Sequence, residues 1–209
     1  MPTIAIDIDD TLYDFGGLAR EKWGEYAMER GDKSLQRGAY CAWPEWRSPA
    51  DVVDLEHWLR IIDLCHAPDV IIEQIPYPGA YEGLWRLDDA GYDLLYISTR
   101  DPEVTEATRH WLMFQGFPYG DLICTHEDKI QYVRDCQYIV DDRVKTLVNF
   151  VYDHEWYNSG RPQRKGFALL KEYNRALTDV PNVYLAPTWN LLINYMEDKG
   201  VFDREGARN

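Results

Sequence analysis

The stretch Thr3-Ile4-Ala5-Ile6-Asp7-Ile8-Asp9-Asp10-Thr11-Leu12 constrains this chain more than any other. An apolar run that suits a buried strand ends in three carboxylates, two of them spaced by two. At neutral pH these acids repel one another, and nothing basic stands beside them in sequence. A divalent cation would remove the conflict. A carboxylate held beside such a cation can also attack phosphorus. The plainer alternative is an acidic turn that caps a helix.

The rest of the chain repeats this grammar. Residues 3–8 read as a strand, followed by a loop and a helix from Leu18 to about Arg30. Ser48-Pro49-Ala50-Asp51 has the cap, proline and acid of a helix start. Leu55, Trp58, Leu59, Ile62 and Cys65 then recur at helical spacing. Pro76 to Gly79 is a turn-rich joint, and a helix follows to about Ala90. Tyr92–Ile97 is a second strand, delivering Ser98, Thr99 and Arg100. A helix starts at Asp101-Pro102-Glu103 and runs to Gly116. Leu122–Cys124 and Tyr138–Val140 are short strands, the first followed by Lys129 and the second by Asp141-Asp142-Arg143. Phe167–Leu170 and Val183–Leu185 are two more candidates, and a helix from Thr188 to about Lys199 closes the pattern.

Alternating strands and helices predict an α/β fold, a parallel sheet with helices on both faces. Such sheets bind ligands beyond the carboxyl ends of their strands, where each polar cluster falls. Residues 16–75 hold helices only. They read as a helical cap inserted after the first strand, with residues 1–15 and 76–209 as the catalytic core.

Composition narrows the function classes. Hydrophobic residues make up 45% of the 209 residues, enough for a sizeable core. A net charge of −14 opposes a grip on duplex nucleic acid, which needs clustered Lys and Arg. Fifteen Tyr and eight Trp exceed what a core can absorb, since their polar atoms need partners, so some are expected in a pocket or a homodimer interface. Cys41, Cys65, Cys124 and Cys136 form no CxxC pair and read as reduced thiols of a cytoplasmic protein. Apolar runs such as Leu191-Leu192-Ile193 are too short to span a membrane, and no signal peptide is read before the first strand. His57, His66, His110, His126 and His154 show no zinc spacing and read as surface or packing residues.

Four motifs in order, Asp7-Ile8-Asp9-Asp10-Thr11-Leu12, Ser98, Lys129 and Asp141-Asp142, resemble those of the haloacid dehalogenase-like (HAD) phosphohydrolases. Within that superfamily the chain is most similar to the 5'(3')-deoxyribonucleotidases. The helical insertion follows the first motif, as in that group, and Phe15 stands where the group has a base-stacking aromatic. Asp141-Asp142-Arg143, and Tyr173-Asn174-Arg175 followed by Val183-Tyr184 and Trp189, also suit it. Two features depart from the group. Ser98-Thr99-Arg100 resembles the phosphatase half of polynucleotide kinase-phosphatases, and the segment from Val151 to Lys165 is longer and more polar than expected.

The resemblance implies roles. Asp7 is the nucleophile that forms an aspartyl-phosphate. Asp9 is the general acid and then the base, with a pKa that neighbouring carboxylates would raise. Asp7, Asp141 and Asp142, with the backbone carbonyl of Asp9, would hold Mg²⁺; Asp141-Asp142 could instead cap the helix after it. Ser98 would donate to a phosphoryl oxygen, or be a plain turn hydroxyl. Lys129 would balance the gathered charge, with Lys145 as fallback, or be a solvated lysine. Arg100 and Arg143, with Thr99 beside them, would hold a second phosphate or a ribose edge, or pair with the surrounding acids. Phe15, Trp43 and Trp46 are candidates to sandwich a base, although the two tryptophans could simply plug the cap against the core.

The leading expectation is a Mg²⁺-dependent phosphomonoesterase acting on a small phosphorylated substrate, a (deoxy)nucleoside monophosphate. An end-processing phosphatase on DNA or RNA is a second reading, and the acidic charge speaks against it. A catalytically idle member that binds a nucleotide or a protein is a third, opposed by the complete acid set.

Overall fold

The computed structural model describes residues 2–31 and 55–203. Among these, six parallel strands form one sheet: β1 (Thr3–Ile6), β2 (Asp93–Ser98), β3 (Gly120–Cys124), β4 (Tyr138–Val140), β5 (Lys165–Leu169) and β6 (Val183–Ala186). Their order is β3-β2-β1-β4-β5-β6. The chain builds outward from β1 to β3, then returns to the other side of β1. The reversal opens a crevice beyond the carboxyl ends of β1 and β4, the usual ligand position in such sheets.

Alternation of side chains sorts the core into two layers. Ile4, Ile6, Leu94, Tyr96, Tyr138, Val140, Phe167 and Leu169 belong to one buried cluster. Their neighbours Ala5, Leu95, Ile97, Ile139 and Ala168 belong to the other. Both faces are buried, so the strands read as unbroken apolar runs rather than as alternating ones.

The first layer is covered by α4 (Ala80–Asp89), α5 (Thr105–Phe114) and, at the chain's end, α8 (Trp189–Asp198); α1 (Phe15–Arg30) and α2 (Leu55–Cys65) pack on each other and α3 (Pro68–Ile72) packs on α5, continuing the same buried cluster. On the second lie α6 (Val144–Val151), through Leu147 and Phe150, and residues around the 3-10 turns Lys129–Gln131 and Glu172–Asp179. A short α7 (His154–Asn158) packs Trp156 under Arg164, whose guanidinium carbon lies 4.2 Å from the ring centroid.

The segment between β1 and β2 leaves and re-enters at one place. Tyr13 bridges Pro76, and the Tyr77 N–H donates to the Leu12 carbonyl at 2.7 Å. Immediately beyond, Gly79 has φ +86°, and a Cβ there would stand 2.4 Å from Asn190 Oδ1. Only glycine suits both demands.

Boundaries differ from expectation where caps intervene. Strand β1 ends at Ile6 rather than residue 8, because the chain turns at once and Asp10 takes φ +57°. Helix α1 starts at Phe15 rather than Leu18, since Asp14 caps it by accepting the Gly17 N–H. Helices α3 and α7 and the 3-10 segment Glu172–Asp179 go beyond the elements expected from sequence, each being short. The helix start at Ser48–Asp51 lies outside the described residues.

Ile6 is fully buried in β1, between β2 and β4. Ile6→Ala should lower unfolding free energy by about 2–5 kcal/mol, read as a lower urea midpoint at unchanged m-value.

Candidate active site

Asp7 follows β1 directly and Asp141 follows β4, so the ladder between these neighbours sets the two acids side by side. The Asp7 N–H donates to the Val140 carbonyl at 2.8 Å and the Asp141 N–H to Phe167 at 3.0 Å, extending the sheet pattern by one residue. One carboxylate oxygen from each of Asp7, Asp141 and Asp142 falls within 4.8 Å of the others. All three side chains are buried.

Lys129 joins them. Its Nζ donates to Asp7 Oδ1 and, at 2.9 Å, to Asp141 Oδ2. Asp128 accepts the Ile130 N–H at 3.1 Å, starting the turn that carries the lysine inward. Asp141 Oδ1 accepts the Arg143 N–H at 2.8 Å. Asp142 Oδ2 accepts from the Tyr173 hydroxyl at 2.5 Å. Thr11 Oγ1 lies 3.4 Å from Asp7 Oδ2. Asp141 therefore does cap the turn ahead of α6, and it belongs to the acid cluster as well.

Burial pushes the Asp7 carboxyl up to about 6, helped by repulsion from Asp141 and Asp9 and opposed by Lys129. Burial also lifts Asp142 well above the usual carboxylate range, with Asp7 and Asp141 adding repulsion. Lys129 bonds two of the three carboxylates, and the Arg143 guanidinium nearby is held charged by all three. Hard anionic oxygens with surplus negative charge fit a divalent ion such as Mg²⁺.

Asp9 stands outside this cluster, and its environment has the opposite sign. Burial, the largest single influence, would raise its pKa, but the Arg100 guanidinium and His66 together outweigh it and hold the carboxyl well below the ordinary range. Arg100 Nη2 reaches Asp9 Oδ1 at 2.9 Å, and Nε lies 3.2 Å from both oxygens. The expected upward shift at Asp9 is thus corrected: the sequence showed its acidic neighbours and not the arginine 91 residues away.

Above the acids lies a cavity of about 880 Å³. Asp7, Asp9, Lys129 and Asp142 line its floor, and Thr99 and Arg143 its side. Phe15 of α1, Trp58 and Ile62 of α2 and His66 just after it form a largely aromatic wall. The Phe15 and His66 rings lie 5.1 Å apart and tilted by 33°.

Not every expected residue reaches the cavity. Arg100 does not: its side chain is 0% exposed and faces Asp9, Tyr13 and Thr108, so a direct hold on phosphate or ribose gives way to the acid pairing weighed as the alternative. Ser98 is buried, and its hydroxyl donates to Asp9 Oδ2 at 3.0 Å. Trp43 and Trp46 lie outside the described residues. Conversely, Trp58 and His66, read from sequence as packing residues, line the cavity. Among the described residues, His66 Nε2 is buried without a hydrogen-bond partner, 3.7 Å from Asp9 Oδ1. Lys145 is exposed at the rim and Lys129 is the buried partner of the acids, so the fallback is not needed. Tyr173 could have been suspected only as part of the C-terminal resemblance.

No protein-family model matches the chain. A Bacillus cereus protein named "Putative nucleotidase" is 32% identical over 171 residues, covering 69% of this chain and 78% of that one. The fold is similar to a HAD family hydrolase of Deinococcus radiodurans R1 solved with bound phosphate and sodium. The TM-score is 0.60 at 13% identity, over 96% of this chain and 97% of that one. It is also similar to a phosphonoacetaldehyde hydrolase-like protein of Oleispira antarctica, with TM-score 0.59 at 13% identity, over 98% of this chain and 95% of that one.

The raised carboxyls carry a stability consequence. An acid whose folded pKa is raised favours the fold while protonated, and that contribution is lost as pH climbs through the folded value. For Asp7 the loss runs from its ordinary 3.8 through about 6. Asp142 is raised in the same direction by burial and by its acidic neighbours, so Asp142→Asn should stabilise the metal-free protein at neutral pH, by an amount that shrinks as pH falls and is gone below about pH 4. Thermal melts of both proteins in EDTA across that range check this; an Asn variant no more stable at pH 7 than the parent would contradict it.

Proposed function

The chain belongs to the haloacid dehalogenase-like phosphohydrolases, and on that premise we propose that it is a Mg²⁺-dependent phosphomonoesterase acting on (deoxy)nucleoside monophosphates. One observation carries the reading. Two acids two residues apart hold opposite environments, Asp7 with Lys129 among carboxylates and Asp9 on Arg100, at the floor of one cavity with an aromatic wall. Paired carboxylates with separated environments are the pattern of divided acid–base and nucleophilic roles.

In this mechanism an Asp7 oxygen attacks phosphorus. The bond from phosphorus to the leaving oxygen breaks, and its electron pair stays on that oxygen, which takes a proton from Asp9. Water then attacks the aspartyl-phosphate, gives its proton to Asp9 and releases phosphate, restoring Asp7. At rest Asp9 is the carboxylate, ready for the second step. For the first it must gain a proton, and an arriving anionic phosphate raises a nearby carboxylate's affinity for one. Lys129 would neutralise phosphoryl charge, and Ser98 would turn its hydroxyl from Asp9 to a phosphoryl oxygen. Asp7, Asp141, Asp142 and the Asp9 carbonyl would hold Mg²⁺, which when bound supplies charge neutralisation and Lewis-acid polarisation.

Residues 16–75 would act as a substrate-selecting cap. Its Phe15-side wall, with Trp58 and His66, suits the face of a base, and Arg143 and Thr99 suit the sugar or phosphate edge. The cavity volume lies in the range of small-molecule sites. A 32% identical relative carrying the nucleotidase name supports the substrate class. A cytoplasmic setting belongs to the same reading, supported by Cys65, Cys124 and Cys136 as free thiols.

The test is phosphate release from ribo- and deoxynucleoside 5'- and 3'-monophosphates and from sugar phosphates, with Mg²⁺ and with EDTA. Turnover should need the metal and concentrate on nucleotides. Turnover confined to sugar phosphates would keep the chemistry and remove the base-binding cap. Asp7→Asn should lower kcat by roughly 10⁴-fold or more with little change in KM, because it deletes the attacking group and leaves the cavity. An active Asp7→Asn enzyme would end the mechanism.

A further inference from the structure

Resting on that reading, we propose that Arg100 is the positioning residue of Asp9, fixing the carboxylate's place and selecting which of its oxygens exchanges the proton. Every limb of the guanidinium is held. Nη1 donates to Thr108 Oγ1 at 2.9 Å, and Nη2 donates to Asp9 Oδ1 at 2.9 Å and to the Tyr13 hydroxyl at 3.0 Å. Nε is shared between the two Asp9 oxygens at 3.2 Å each. The group also sits 5.5 Å from the Tyr13 ring centroid. Tyr13 in turn donates its hydroxyl to Asp9 Oδ1 at 2.7 Å. The Arg100 N–H donates to Ser98 Oγ at 3.2 Å, so the strand end that carries the arginine also sets the serine.

The two Asp9 oxygens are treated unequally. Oδ1 accepts from Tyr13 and from Nη2, with a share of Nε. Oδ2 accepts from Ser98 and the other share of Nε. Tyr13 and Arg100 are both buried and cannot turn away without losing their other partners. The Ser98 hydroxyl is a single rotor. When it turns to a phosphoryl oxygen, Oδ2 keeps only its share of Nε against three donors at Oδ1, and it is the one that gives its proton to the leaving oxygen and later takes one from water. A guanidinium fork suits this task because it fixes a carboxylate in a plane, which a lysine's point charge does not.

Arg100→Lys keeps the charge and removes the fork. It should lower kcat by roughly 10²-fold, the scale of a misplaced reacting group, with KM changed less than about threefold. In an Asp9→Asn background the same change should add almost nothing, since Arg100 acts through Asp9. A 4-nitrophenyl ester, whose leaving group needs no proton, keeps the Asp9→Asn turnover measurable. Thr108→Val frees one limb of the guanidinium without touching Asp9 or the cavity lining. It should lower kcat several-fold with the same non-additivity, and it carries the test if Arg100→Lys does not fold. A rise in KM at unchanged kcat would show that the guanidinium holds substrate and would overturn the proposal. So would equal losses in the parent and Asp9→Asn backgrounds, the signature of a purely structural role. A parent enzyme that hydrolyses no phosphate ester would remove the phosphatase reading itself, and the proposal with it; an active parent with indifferent variants removes the proposal alone.

Discussion

The contact of Lys129 with Asp7 and Asp141 is what the rest of the site depends on. Three carboxylates converge on neighbouring strand ends, all buried, and without a cation between them the sheet edge would carry uncompensated charge in a poorly solvated place. Lys129 is delivered by a 3-10 turn after β3, the far strand on that side, and reaches across β2 and β1 to the crevice. Strand order therefore matters to the chemistry. β1 and β4 must be neighbours for Asp7 and Asp141 to meet, and the chain must reverse between them for the crevice to stay open above.

A second constraint follows from spacing. Asp7 and Asp9 stand two residues apart, yet the chain turns sharply after β1, with Asp10 in the left-handed region. Asp10 tolerates that conformation because a short carboxylate can bond its own turn, and its Oδ1 accepts the Gly16 N–H at 3.0 Å. The turn takes Asp9 off the β1–β4 side and presents it to the end of β2, where Ser98 and Arg100 wait. One acid faces other acids and Lys129; the other faces a guanidinium. The difference in their proton affinities is a difference of strand neighbours, written by topology rather than by local sequence.

Much of this was legible in the chain. The strands and their order of appearance followed from apolar runs bounded by polar clusters, and the clusters marked the carboxyl edge because each came after a strand. Asp7, Lys129, Asp141 and Asp142 were brought together as the motif order implied. What stayed hidden was pairing across the fold. Nothing near Arg100 in sequence says that it will be buried on Asp9, and the acids around Asp9 argued for the opposite pKa shift. Trp58 and His66 were hidden for a related reason: a helix stripe shows which residues share a face, and Trp58, Ile62 and Cys65 do, but not that this face borders a cavity at one end. Boundaries failed where a single capping side chain, such as Asp14, decides where a helix begins.

The site also explains a feature that stability alone would oppose. Replacing Asp142 or Asp7 with a neutral group would relieve repulsion, and Tyr173, with its hydroxyl 2.5 Å from Asp142, and Lys129 offset only part of it. Acids held against their own repulsion are the state a metal and an incoming phosphate can use, because the protein has already met the cost of gathering them. The surrounding core is correspondingly firm: Tyr96, Trp111, Phe167 and Trp189 are almost wholly buried beneath the strand ends and helices that carry the acids. Rigid support on one side and unresolved charge on the other are complementary, since a softer scaffold would let the carboxylates separate and relieve their repulsion.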